Sequence, residues 1–180
     1  MDNIKPDKVT THKKSRALFF PSENAHRKLL KKLATAQNSI YVAIYCLTND
    51  RISAILWDLW QDNVDVRIIT DDETAKNMGS DLLPLSQAGI PVRIDNDLKA
   101  RMHHKFVVID DKILINGSFN FTSSAYKANN ENLVITYEPH LVASYKKEFE
   151  RLWEKFEGGE YPRGNEDIPW RYKKHLKKRD

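Results

Sequence analysis

The chain has 180 residues, 41% hydrophobic and 30% charged, with a formal net charge of +4 and a single cysteine. That length suits one domain with a substantial core and leaves little room for two. One cysteine excludes an intramolecular disulfide and is compatible with a reducing compartment, and no 18-residue apolar run is present to form a transmembrane segment.

The charge is unevenly spread. Residues 1–16 carry five basic residues against two acidic, and residues 171–180 carry six against one. The remainder holds 18 basic and 22 acidic residues, a net of −4. Basic ends of this kind suit phosphate backbones or anionic lipid surfaces, and equally suit solvated arms. The opening MDNIKPDKVTTHKKS lacks the apolar stretch of a signal peptide, so the expectation is a cytoplasmic or other reducing compartment.

In chain order, residues 1–16 read as a flexible basic arm. Ser22 suits an N-cap, and Ala25, Leu29, Leu30, Leu33 and Ala36 recur at helical spacing, predicting a helix to about Gln37. A strand follows over 40–47, with Cys46 as a small core residue. Residues 50–61 predict a helix whose apolar face is Ile52, Ile55, Leu56, Leu59 and Trp60. A strand over 64–70 ends in Asp71-Asp72-Glu73. No histidine or further acid lies at a ligand spacing from these acids, so they read as a solvated loop and no metal is expected.

A short helix over 79–88 and a strand over 92–94 come next. The apolar, β-branched run from Met102 to Ile109 predicts a buried strand. Asp110-Asp111-Lys112 reads as a turn into a strand over 113–115. A strand over 133–137 and an amphipathic helix over 140–156 close the domain. The alternation predicts an α/β fold: one mixed, mostly parallel β-sheet with helices on both faces. The divisions expected are an arm (1–16), a catalytic domain (17–157) and a basic C-terminal tail (158–180).

The chemistry concentrates between His103 and Glu131, in the pattern H-x-K-x(4)-D-x(6)-G-S-x-N-x(8)-N-x-E. On a strand His103 and Lys105 share a face, so a phosphate can meet an imidazole and an ammonium together. A neutral imidazole is a competent nucleophile near pH 7. Gly117 permits a backbone path that a Cβ would block, while Ser118 and Asn120 supply donors for phosphate oxygens. Glu131 is a carboxylate able to orient His103. Asp110 has the wrong parity for that face and is expected to hold turn and strand. The candidate catalytic set is His103, Lys105, Asp110 and Glu131, with Lys105, Ser118 and Asn120 on the phosphate. Three other H-x-K triplets, at His12, His26 and His175, lack the later positions.

These residues resemble the phospholipase D superfamily, marked by an HKD motif followed by GSxN. The likeness is closest to its single-motif branch, which includes Nuc-type endonucleases and the mitochondrial cardiolipin hydrolase/Zucchini group. Phe19-Phe20-Pro21-Ser22, Met102-His103-His104-Lys105-Phe106, Gly117-Ser118-Phe119-Asn120-Phe121-Thr122 and Asn129-Asn130-Glu131-Asn132 carry it, over about residues 17 to 157. The resemblance implies a phosphohistidine at His103, no cofactor and no metal. It also implies a homodimer that brings a second His103 to the site, His104 being expected to face away and pack. The leading expectation is a metal-independent endonuclease on single-stranded DNA or RNA. The alternatives are a phospholipase acting on cardiolipin or a related lipid, and a non-catalytic nucleic-acid- or membrane-binding module. The animal mitochondrial members add a membrane helix and a Cys/His zinc insertion, neither of which this sequence shows.

Overall fold

A computed structural model describes residues 14–76, 79–97 and 99–161. The arm expected over 1–16 and the tail expected over 158–180 therefore lie mostly outside the described residues.

Alternation along the strands sets the layers. The central sheet has the order β1 (Arg16–Phe20), β9 (Glu131–Thr136), β7 (Ile113–Gly117), β6 (Lys105–Ile109), β2 (Ser39–Ile44), β4 (Asp65–Thr70) and β5 (Val92–Ile94). One set of alternate side chains, including Ile40, Val42, Ile44, Val107 and Ile115, packs beneath α1 (Glu23–Leu33) and α2 (Asp50–Gln61). The other set, including Tyr41, Ala43, Phe106, Val108 and Leu114, packs under α6 (Pro139–Lys155) through Val142, Phe149 and Leu152. Each large side chain removed from water in this way contributes about 1.5–3 kcal/mol before entropy is charged.

The mixed sheet with helices on both faces is as expected, but the balance of directions is not. Only β2 with β4 and β4 with β5 are parallel in this sheet. The ladders β1 with β9, β2 with β6, β6 with β7 and β7 with β9 are antiparallel. The tight turn at Asp110 and Asp111, with φ of 51° and 54°, reverses the chain where a crossover helix would have kept it parallel.

Several boundaries also move. The strand expected over 102–109 starts at Lys105. The strand expected over 40–47 breaks after Ile44, and β3 (Leu47–Thr48) pairs instead with β8 (Phe121–Thr122) in a second small sheet. Cys46 sits in that break and is half-buried. Polar caps set the helix starts: Ser22 accepts from the Ala25 amide, Asn49 from Arg51 and Ile52, and Thr122 from Ala125 at the start of α5 (Ser123–Lys127). Helix α4 (Leu82–Gln87) carries Pro84 within its first turn, where a missing amide hydrogen costs nothing.

The acidic run after β4 is not a solvated loop. Asp71 and Asp72 are buried, and Asp71 caps α3 (Asp72–Ala75) by accepting from Glu73 and Thr74.

Candidate active site

Register places the candidate residues at one end of the sheet. Ile44 at the end of β2 pairs with Lys105 at the start of β6. The next residue, Tyr45, continues the contact by donating its amide to the His104 carbonyl at 3.0 Å. Its ring thereby comes to lie 4.7 Å from the His103 ring. The Lys105 ammonium stands 5.0 Å over the same ring and donates to the His103 carbonyl at 2.7 Å. His103 precedes the strand, so the pair meets through this aromatic floor and not through strand parity.

Burial, then the positive charge of Lys105, holds the His103 imidazole below its usual pKa, with Asp71 pulling the other way. The neutral, nucleophilic form is thus favoured near neutral pH. Burial also lowers the Lys105 ammonium, opposed by Glu131 and Cys46.

The β7 and β9 ends reach the same place. Gly117 pairs with Leu133, and a Cβ built on Gly117 would collide with the Asn132 carbonyl. Beyond it the Ser118 amide donates to the Asn132 carbonyl, and the Asn132 amide donates to Ser118 Oγ, both at 3.1 Å. Glu131 accepts from the Ser118 hydroxyl and, at 3.3 Å, from Asn129 Nδ2. No hydrogen bond joins Glu131 to His103 among the described residues; the carboxylate acts on Ser118 and, through its charge, on Lys105.

Asn120 is half-buried, and its Oδ1 has no hydrogen-bond partner among the described residues. Phe119 and Phe121 are buried, Phe119 against Phe20 at 4.1 Å, so both pack beneath the site. His104 turns to the α6 side, edge-on to Phe106 at 5.4 Å and 3.7 Å from the Glu148 carboxylate.

Asp110 lies at the opposite end of β6. Its carboxylate accepts from the amides of Gln37 (3.1 Å), Asn38 (2.7 Å) and Ser39 (2.9 Å). Burial pushes this carboxyl up, but the three amides outweigh it and hold it below the ordinary range. The geometry makes Asp110 a splice between two loops, remote from His103, and gives no support to a direct part in chemistry.

Sequence reasoning missed two residues. Tyr45 carries no motif signal beyond being aromatic. Asp95 lies far along the chain from the other acids, yet Asp71, Asp72 and Asp95 each offer a carboxylate oxygen within 4.8 Å of one another. Asp95 also accepts from the Asp72 and Met102 amides at 3.0 and 2.9 Å, so it anchors the residue next to His103. Burial, and the charges of Asp71 and Asp72, hold its carboxyl above the usual range. Three such oxygens suit either a shared proton or a hard cation.

A family model described as "Cardiolipin synthase, PLD-like domain" matches residues 29–153. The chain is 43% identical to a mitochondrial cardiolipin hydrolase of Chlamydomonas reinhardtii over 129 residues, 72% of this chain and 57% of that protein. It is 37% identical to one from Xenopus laevis over 140 residues, 78% of this chain and 66% of that protein. The chain therefore spans less than two thirds of these relatives. Nuc from Salmonella typhimurium, a phospholipase D family member, superposes with a TM-score of 0.75 at 26% identity, covering 82% of this chain and 97% of that one.

Proposed function

Since this chain belongs to the phospholipase D superfamily, in its PLD-like domain family, we propose that it is a phosphodiesterase that cleaves single-stranded nucleic acid through His103. The observation that carries the reading is the exposed imidazole of His103 seated on Tyr45 beside the Lys105 ammonium. A diester bound there meets a neutral nitrogen nucleophile and a cation for its equatorial oxygens.

In the first step a His103 ring nitrogen attacks phosphorus. A P–N bond forms, the P–O bond to the leaving group breaks, and the leaving oxygen takes a proton from a general acid. In the second step water loses a proton to the same group and attacks phosphorus, breaking the P–N bond and restoring His103. No metal is invoked, because Lys105, Ser118 and Asn120 supply the charge and donors. The general acid is the His103 of a second copy, which makes the working unit a homodimer. Since Glu131 lies off the imidazole within one chain, its orienting contact is assigned across that interface.

The nucleic-acid assignment draws on the polar mouth formed by Lys105, Ser118, Asn129 and Glu131 and on the likeness to Nuc. A second reading, hydrolysis of cardiolipin or a related phospholipid, is favoured by two observations. The curated relatives carry that name, and Phe19, cross-strand from Asn132, is 70% exposed. The test is incubation in EDTA with single-stranded DNA, single-stranded RNA and cardiolipin liposomes, beside His103→Ala. Oligonucleotide cleavage that vanishes in the variant supports the first reading. Phosphatidic acid with intact oligonucleotides supports the second. Loss of activity in EDTA with recovery on adding Mg²⁺ would sink the metal-free mechanism.

A further inference from the structure

We infer that a groove between α1 and the β1/β9 edge is a second binding site, separate from the candidate active site, that takes the phosphate backbone of a single-stranded nucleic acid. The occupant's identity rests on the nucleic-acid reading above; the existence of the site does not.

The groove has a volume of about 430 Å³ and is lined by Lys14, Arg16, Lys28, Lys31, Lys32 and Tyr137. Two independent periodicities assemble it. Lys14 and Arg16 are two residues apart at the start of β1, and Arg16 lies opposite Ile135 of β9. Lys28, Lys31 and Lys32 are spaced three and four residues apart on α1, so they share one helical face. Lys14, Arg16, Lys28 and Lys31 are exposed. None of the five cations makes an ion pair among the described residues. Several basic side chains elsewhere are paired, Arg51 with Glu23, Lys146 with Asp111 and Arg151 with Glu148, while others such as Arg27, Lys112 and Lys147 stand singly among the described residues; what sets the groove apart is five cations in one concavity. Five unneutralised cations in one concavity repel one another, and a polyanion relieves that repulsion while releasing its own counterions.

The shape selects the class of polyanion. A bilayer is flat and is met by protruding side chains, whereas these cations line the walls of a recess. The recess also contains an aromatic ring, Tyr137, with the Lys32 ammonium 5.5 Å from its centre. A charged groove with an aromatic surface is the combination that holds single strands, the cations tracking phosphates and the ring stacking on a base. Position fits the same occupant. β9 starts with Glu131 at the candidate site and reaches Ile135 at the groove, four residues on and so about 13 Å away at ~3.3 Å per residue. One strand of a few nucleotides can therefore lie in both places, and a dinucleotide cannot.

The test uses the full chain and the double variant Lys28→Glu/Lys31→Glu, with Lys28→Gln/Lys31→Gln as a milder second. Circular dichroism checks that both fold. Fluorescence anisotropy reads binding of a 30-nucleotide single-stranded DNA and of a labelled dinucleotide, and of vesicles of phosphatidylcholine with cardiolipin. Hydrolysis of bis(p-nitrophenyl) phosphate reports the catalytic end alone. The expected result is roughly tenfold weaker binding of the 30-mer with a shallower salt dependence, a smaller change in the Gln variant, and little change for the dinucleotide or the small diester. Unchanged binding of the 30-mer overturns the site. Binding of vesicles but not of the 30-mer, lost in the Glu variant, overturns the occupant. A protein that binds the 30-mer through these lysines but cleaves no oligonucleotide while hydrolysing the small diester keeps the groove and removes the nuclease reading.

Discussion

The ring of Tyr45 lies 4.7 Å from that of His103, tilted at 57°, and the Lys105 ammonium stands over its face. An aromatic residue one step beyond the end of β2 therefore lies against both the proposed nucleophile and the cation. Tyr45→Ala removes the shelf and frees the imidazole. The turnover number should fall by about tenfold to a hundredfold, in the range that small misplacements of reacting groups cost. Tyr45→Phe keeps the ring and should stay near wild type. Equal losses in both variants would show that the hydroxyl, not the ring, matters.

His103 is held below its usual pKa by burial and by Lys105, with Asp71 opposing. As the proposed nucleophile it must be neutral, so the acid limb of kcat/KM should have its midpoint below the reference value of about 6.5. Asp71→Asn removes the opposing negative charge, and asparagine remains a good N-cap for α3. The limb should then move to still lower pH with the fold intact. A shift towards higher pH in this variant would mean that Asp71 does not act on His103 by charge.

Asp110 separates structure from chemistry. Its carboxylate joins the β6–β7 turn to the amides of Gln37, Asn38 and Ser39. Asp110→Asn tolerates the left-handed backbone but loses the charge-assisted bonds, and should lower stability by about 1 kcal/mol. Activity per folded molecule should be unchanged. Because the folded carboxyl lies below its unfolded value, this stabilisation is present above the reference value of about 3.9 and is lost as pH falls through the folded value. The gap between wild type and variant in thermal unfolding should accordingly close in acid.

Much of this was legible in the sequence because it depends on short-range patterns. The helix over 50–61 has its apolar stripe, and the strand over 92–94 its flanking breakers, so both were placed at their observed bounds. Ser22 announced itself as a cap by residue type. The sequence-distant relations were hidden. β1 pairs with β9 across more than a hundred residues, which no local pattern encodes. Asp95 meets Asp71 and Asp72 only because β4 and β5 are neighbours in the sheet. His103 and Lys105 were expected to meet by strand alternation, but the strand begins at Lys105 and Tyr45 does the work instead. The apolar run that forms β2 is legible, but not its end at Ile44, nor the antiparallel approach of β6 that turns the next residue into a floor.

Gly117 is required by close approach. A side chain there would meet the Asn132 carbonyl, whose partner is the Ser118 amide. Gly117→Ala should cost about 1–3 kcal/mol, the usual cost of overpacking. Because Ser118 and Glu131 hang from the same two strands, activity should fall further than the loss of folded protein explains. Chemical denaturation and steady-state rates on the same samples separate the two effects.

The proposed dimer makes a quantitative claim about mixing. If the site needs a His103 from each of two copies, a heterodimer of wild type with His103→Ala holds only one and is inactive. Co-refolding equal amounts should give about one quarter of the activity of the same total protein as wild type, because only that fraction pairs wild type with wild type. Independent protomers would give about one half. Adding excess variant to a fixed amount of wild type sharpens the contrast, since a shared site is driven towards zero while independent sites are untouched.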